Sequence, residues 1–123
     1  MSVQVWRGSM AHYAGDAAEQ IVARTYTDMG LELAETRWRG QSGEIDLILR
    51  DGDAVVFVEV KKSRNLDQAA LRLGRRQIER IYAAGSEFLA NEPKGQLTDV
   101  RFDVALVDAT GQVQILENAI GMG

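Results

Sequence analysis

With 123 residues, 46% of them hydrophobic, the chain has material for one compact core; with no cysteine it cannot form a disulfide, a thiolate nucleophile or a cysteine-ligated zinc or iron–sulfur site. Its formal net charge of −4 argues mildly against a nucleic-acid partner, because binding dominated by the phosphate backbone favours a basic surface. The first ten residues lack the apolar run of a signal peptide and no stretch approaches the roughly 20 apolar residues of a membrane span, so a soluble cytoplasmic protein with no membrane partner is expected.

Taken in chain order, Ser9 is placed to cap a helix that runs to Met29. Tyr13, Ala14, Ala17, Ala18, Ile21, Val22 and Met29 recur at helical spacing, Gly30 is the stop, and Gly15, Glu19, Ala23 and Tyr26 share one stripe. Strands are expected over residues 31–37, 44–50 and 54–62. The last two are rich in β-branched and aliphatic residues and are joined by the hairpin signal Asp51-Gly52-Asp53. Residues 65–74 read equally as loop or helical turn, and residues 75–90 as a helix with Ile78, Ile81, Tyr82, Phe88 and Leu89 apolar. After a loop holding the only proline, Pro93, strands follow over 100–107 and 112–116, with a turn at Asp108-Ala109-Thr110-Gly111 between them. This order predicts a single α/β domain over residues 1–123, a mixed sheet with a helix on each face.

Two charges in the most apolar strands need a reason. Asp46 and Glu59 lie thirteen residues apart across the hairpin. With Gly52 and Asp53 as a two-residue loop, Asp51 faces Ala54 and the register sets Asp46 opposite Glu59, at a separation of roughly 4.5–5.5 Å. Alternation places Glu44, Asp46 and Ile48 on one face, and Val55, Phe57, Glu59 and Lys61 on the face they meet. Two carboxylates that close need a proton or a cation between them. A divalent metal held by Asp46 and Glu59 answers this, and oxygen-only ligands favour magnesium or manganese. Lys61 stands beside the pair, placed to stabilise negative charge as it develops. Glu44 shares the face of Asp46 and is open to pairing with Lys61.

An Asp, a short spacer and then Glu-x-Lys at the end of an apolar strand resembles the PD-(D/E)XK motif of the restriction-endonuclease-like nucleases. The match extends further: Gly15-x-x-Ala18-Glu19-x-x-Val22-Ala23, Trp38-Arg39, Gly43-Glu44-Ile45-Asp46-Leu47-Ile48, Val58-Glu59-Val60-Lys61, Arg101-Phe102-Asp103-Val104 and Glu117-Asn118-Ala119 resemble, in order, the YraN family of small bacterial proteins. The resemblance implies a restriction-endonuclease-like α/β/α sandwich and metal-dependent phosphodiester cleavage. It also implies that Glu19, where the superfamily often places a further acidic residue, joins the metal site. Ile45 replaces the Pro of the motif's name, Arg37 stands where the family usually has Asn, Arg76 where it usually has Lys, and Ile120 where it usually has an aromatic residue; none of these changes removes a metal ligand.

The charge distribution reverses the impression left by the net charge. Between Val60 and Arg80 stand Lys61, Lys62, Arg64, Arg72, Arg75, Arg76 and Arg80 against Asp67 and Glu79, a local balance of +5 that leaves −9 elsewhere. Lys62, Arg64, Arg72, Arg75 and Arg76 are therefore candidate phosphate contacts, although a solvated helix face explains the same run. Arg37 and Arg39 flank Trp38 just ahead of the hairpin, forks for phosphate around a ring that either stacks on a base or packs in the core. Gln77 is a candidate for positioning water or phosphate, and His12, the only histidine, reads as an incidental surface residue. Arg39-Gly40-Gln41-Ser42-Gly43 lacks the spacing of a phosphate loop and reads as a flexible excursion.

The expected function is a magnesium-dependent (or manganese-dependent) endonuclease-like protein acting on DNA, structured or branched DNA in particular, with self-association into a homodimer left open. The alternative is a nucleic-acid-binding accessory protein that keeps the fold and the acidic pair without turnover, which the acidic net charge and small size favour.

Overall fold

The computed structural model describes residues 14–62 and 74–119. Ser9, His12, Tyr13, Arg64, Arg72, Ile120 and nearly all of the ambiguous stretch after Asn65 lie outside the described residues. Helix α1 spans Ala14–Asp28, strand β1 Glu32–Arg39, β2 Glu44–Asp51, β3 Ala54–Lys62, helix α2 Arg75–Leu89, β4 Val100–Val107 and β5 Val113–Leu116, with a 3-10 turn at Gly95–Leu97 ahead of β4. The strands lie in the order β1-β2-β3-β4-β5. All neighbours are antiparallel except β3 and β4, which are parallel and so need the long crossover that contains α2. The expected mixed sheet flanked by helices is what forms.

Strand alternation sorts the side chains between the helices. On one face Ile45, Ile48, Val55, Phe57, Phe102, Val104 and Leu106 meet Ile81, Ala84, Phe88 and Leu89 of α2. On the other Leu47, Leu49, Val56, Val58, Ala105 and Val107 meet Ala18, Val22, Ala23 and Tyr26 of α1. β3 is thus buried on both sides, which is why its sequence reads as a continuous apolar run. Met29, expected on the apolar side of α1, is half exposed, because the helix ends at Asp28 before it can reach the sheet.

Two glycines are required by the geometry. Gly52, at φ 62, takes the first central position of a hairpin turn with Asp51 opposite Ala54, the type II′ arrangement that asks for glycine there. Gly85, inside α2, faces the aromatic cluster: a Cβ there would stand 3.2 Å from ring atoms of both Phe57 and Phe102. Its lack of a side chain brings α2 down onto the sheet, where Phe57 meets Phe88 edge-on at 5.9 Å and Phe102 at 5.0 Å. Each such ring contributes roughly 1.5–3 kcal/mol by burial.

Candidate functional site

The sheet opens beside its centre. β2 stays paired with β1 as far as Arg39 and Glu44, and β3 with β4 as far as Lys62 and Val107, but pairing between β2 and β3 stops at Leu47 and Val58. Backbone groups that face such a gap need new partners. Asp46 supplies one: the Val60 N–H donates to Asp46 Oδ2 at 2.8 Å. The expected register holds through the hairpin, yet Asp46 and Glu59 meet through their carboxyl groups at the mouth of the opening and not as a rung of the ladder.

The side-chain alternation of β2 slips at the same point. Ile45 and Ile48, three residues apart, both pack on the α2 side. Glu44 therefore does not share a face with Ile48, as regular alternation predicted. It pairs with Arg39 at 3.1 Å, not with Lys61, and its charge acts on Glu19 of α1. β1 stays paired at the matching position, its register shift lying earlier, between Leu33 and Glu35, but its backbone turns irregular there. Thr36 pairs with Leu47 and Trp38 with Ile45, so Arg37 sits across from Asp46, and Arg37 has φ 50. A side chain other than glycine in that left-handed region is strained, with Asn tolerating it best.

The electrostatics follow from this crowding. Burial, then the hydrogen bond to Asp46 and the negative charge of Asp46, pushes the Glu59 carboxyl up to about 9, while Lys61 and Gln77 pull it the other way. The Lys61 ammonium donates to Gln77 Oε1 at 3.1 Å, so Gln77, on the first turn of α2, touches both residues of the Glu-x-Lys segment. Burial, then the charges of Asp46 and Glu44, raises Glu19 to about 7, with Lys62 opposing. Glu19 also accepts from Arg37 Nε at 3.0 Å.

The Glu59 shift has a definite sign for stability. The folded chain keeps a proton that the unfolded chain releases from its ordinary value of 4.5 upward, so stability falls as pH rises from there to about 9. Glu59→Gln, neutral throughout, is expected to melt near wild type at about pH 5 and roughly 3–6 °C higher near pH 9 in chelator-treated buffer. Thermal melts across pH check this; a difference that does not vary with pH would remove Glu59 as a buried acid.

Among the basic candidates, Arg37 and Arg39 hold Glu19 and Glu44, and Lys62 is exposed on the α1 side of β3. Arg75 and Arg76 are exposed on the first turn of α2, which carries no acidic residue. Cations there oppose the helix dipole and are relieved by an anion. Trp38 is packed, edge-on to Phe88 at 5.5 Å, so core packing and not an open stacking face describes it. The loop after Arg39 is not a free excursion: Glu87 of α2 accepts from the Gln41 and Ser42 N–H groups at 2.7 Å each, and the hydrogen bond to the Ser42 side chain, then these two, hold its carboxyl below the usual range. No spacing rule links Glu87 to that loop, forty-odd residues away in sequence.

A second buried cluster was also hidden. Asp103, fully buried on β4, accepts from Tyr26 Oη at 2.7 Å, Arg101 Nε at 2.8 Å, Arg101 Nη2 at 2.9 Å and the Asn118 N–H at 2.8 Å, and Arg101 also reaches Glu117 at 3.3 Å. The Arg101-Phe102-Asp103 and Glu117-Asn118 blocks are thus one structure with α1. Burial and the hydrogen bond to Asp103 push the Tyr26 phenol upward, keeping it a donor.

Fold and site together describe an α/β protein with a split five-stranded sheet and an acid pair, a lysine and a glutamine at the split. The chain belongs to the family described as Uncharacterised protein family UPF0102, whose model matches residues 18–107. A UPF0102 protein of Ruegeria pomeroyi is 60% identical over 117 residues, covering 95% of each chain. One from Cereibacter sphaeroides is 62% identical over 112 residues, covering 91% of this chain and 96% of its own, and one from Dinoroseobacter shibae is 44% identical over 112 residues, covering 91% and 84%. No helix among the described residues is long and apolar enough to cross a membrane.

Proposed function

We propose that this protein is a metal-dependent nuclease of the PD-(D/E)XK kind, acting on phosphodiester bonds in DNA. The observation that carries the reading is the meeting of Asp46 and Glu59 at the opened end of the sheet, with Lys61 on the next outward position of the same strand and face as Glu59. Two adjoining carboxyls, one forced to keep a proton, are a poor structural device and a good cation site.

The donor set fits a hard divalent ion. Among the described residues no three histidines, cysteines or carboxylates gather into a metal cage, but magnesium is commonly held through one or two carboxylates with water completing its shell. Asp46 and Glu59 would hold the ion, with Glu19 a further candidate; the ion, once bound, would supply Lewis-acid stabilisation of the phosphoryl group and a more acidic water. The chain's own groups do the rest. Asp46 is fixed by the Val60 N–H, Gln77 aims the Lys61 ammonium, and that ammonium stabilises the charge that grows on the phosphoryl oxygens. Lys62, Arg75 and Arg76, with Arg64 and Arg72 of the intervening segment, would hold the flanking phosphates.

Calorimetric titration with manganese checks the ligands. Asp46→Asn is expected to lower affinity at least tenfold, on the scale of about 10–100-fold seen for lesser perturbations of metal sites. Equal binding by wild type and variant would remove Asp46 as a ligand. Cleavage assayed with magnesium and manganese on linear, single-stranded, flapped and four-way DNA then tests the activity. Binding without cleavage on every substrate would favour the accessory, non-catalytic reading, to which the acidic net charge also points.

A further inference from the structure

The proposed site contains one carboxylate that is held away from the pair. Glu19 lies on α1 with its side chain only 15% exposed, near enough to Asp46 and Glu44 to feel both charges, yet its carboxylate is engaged by the Arg37 guanidinium at 3.0 Å. Arg37 is an unusual residue to find there. It occupies a left-handed position, φ 50, across from Asp46, where β1 and β2 both depart from regular alternation. Arginine has no intrinsic preference for that backbone state, so the conformation is maintained by its surroundings, the ion pair among them. Arg37 and Glu19 also line an open cavity of about 430 Å³, with Gln20, Ala23, Leu33 and Thr36 completing its wall. A planar guanidinium at the edge of a cavity that size is accessible to a phosphate-sized oxyanion, which it binds by the same fork that holds a carboxylate.

Resting on the metal-dependent reading above, we infer that Arg37 is a latch: it holds Glu19 back from the Asp46–Glu59 pair until an oxyanion, a phosphodiester of the substrate, takes its guanidinium and frees Glu19 to complete the cation site. Metal binding and substrate binding are thereby coupled. Coupling of this kind is reciprocal, so whatever weakens the Glu19–Arg37 contact strengthens cation binding without any substrate present.

Arg37→Asn is the informative variant, since Asn accepts the left-handed backbone while deleting the guanidinium. Manganese titrated calorimetrically into wild type, Arg37→Asn and Arg37→Asn/Glu19→Gln reads the latch directly, with no activity required. Arg37→Asn is expected to bind manganese about two- to fivefold more tightly than wild type, the range that a half-exposed ion pair contributes, and Glu19→Gln in that background to abolish the gain. Saturating sulfate in place of chloride, at matched ionic strength, is expected to tighten manganese binding by wild type relative to Arg37→Asn. Unchanged or weaker binding by Arg37→Asn, or a gain that survives Glu19→Gln, would overturn the latch while leaving the Asp46–Glu59 site standing. Failure of wild type to bind manganese at all would overturn both readings, and circular dichroism of each variant identifies any loss of affinity that comes from misfolding.

Discussion

Lys61→Ala is expected to lower single-turnover cleavage by roughly 100-fold or more while leaving DNA affinity and the melting temperature close to wild type, the scale on which one electrostatic stabiliser acts. The reason is positional. Lys61 extends β3 beyond the last rung shared with β2, and among the described residues its ammonium donates to Gln77 and not to any group of the core, so its removal leaves the core untouched. What is lost is a positive charge next to the acid pair, and that charge matters most when the phosphoryl oxygens carry most negative charge. Lys61→Arg should restore little, because a planar fork cannot occupy the place of a compact ammonium beside Glu59 and Gln77. Rapid-quench cleavage under excess enzyme, paired with fluorescence anisotropy for affinity, separates the effects. If Lys61→Ala loses affinity alone, or if wild type shows no metal-dependent cleavage for the variant to lose, the nuclease reading fails and a DNA-binding accessory takes its place.

How much of this was legible in the sequence depends on the range of the interaction. The hairpin was fully legible: Asp51-Gly52-Asp53 sets the turn, the turn sets the register, and Asp51 faces Ala54 as expected. β3, α2 and β4 follow from local composition to within a residue, because a buried strand and an amphipathic helix announce themselves by period. That Asp46, Glu59 and Lys61 lie near one another was legible, and the shape of their meeting was not. Regular alternation wrongly put Glu44 and Ile48 on one face, since the slip at Asp46 arises where β2 parts from β3 while a left-handed Arg37 stands across from it in β1. No local residue pattern signals such a split. The pairing of Arg39 with Glu44 follows from the β1–β2 register, whereas the pinning of the Gln41–Ser42 amides by Glu87 is set by how α2 and the sheet approach each other, and Gly85 was legible only once the two phenylalanine rings it faces were in place.

The largest effect on stability is expected at Asp103. Its carboxylate is fully buried and gathers four donors from three parts of the chain: the Tyr26 phenol on α1, two guanidinium nitrogens of Arg101 on its own strand, and the Asn118 N–H after β5. Asp103→Ala leaves a mostly buried guanidinium and a buried phenol without their acceptor at the same time. Removing one partner of a buried ion pair costs about 3–5 kcal/mol, which for a chain of this length corresponds to a fall in melting temperature of roughly 10–20 °C. Tyr26→Phe removes one donor and leaves the others in place, so about 1–2 kcal/mol is expected from it. The double variant should fall short of the sum of the two singles, since the Tyr26–Asp103 bond can be lost only once. Urea melts of the four proteins measure the cycle. Because Tyr26 lies two turns along α1 from Glu19, on the stripe that meets the sheet, the bond also fixes how that helix lies on the sheet, and Tyr26→Phe should weaken manganese binding less than Asp46→Asn does. A full additive cycle, or an Asp103→Ala variant within a few degrees of wild type, would mean that the buried cluster is held by packing around it and not by its hydrogen bonds.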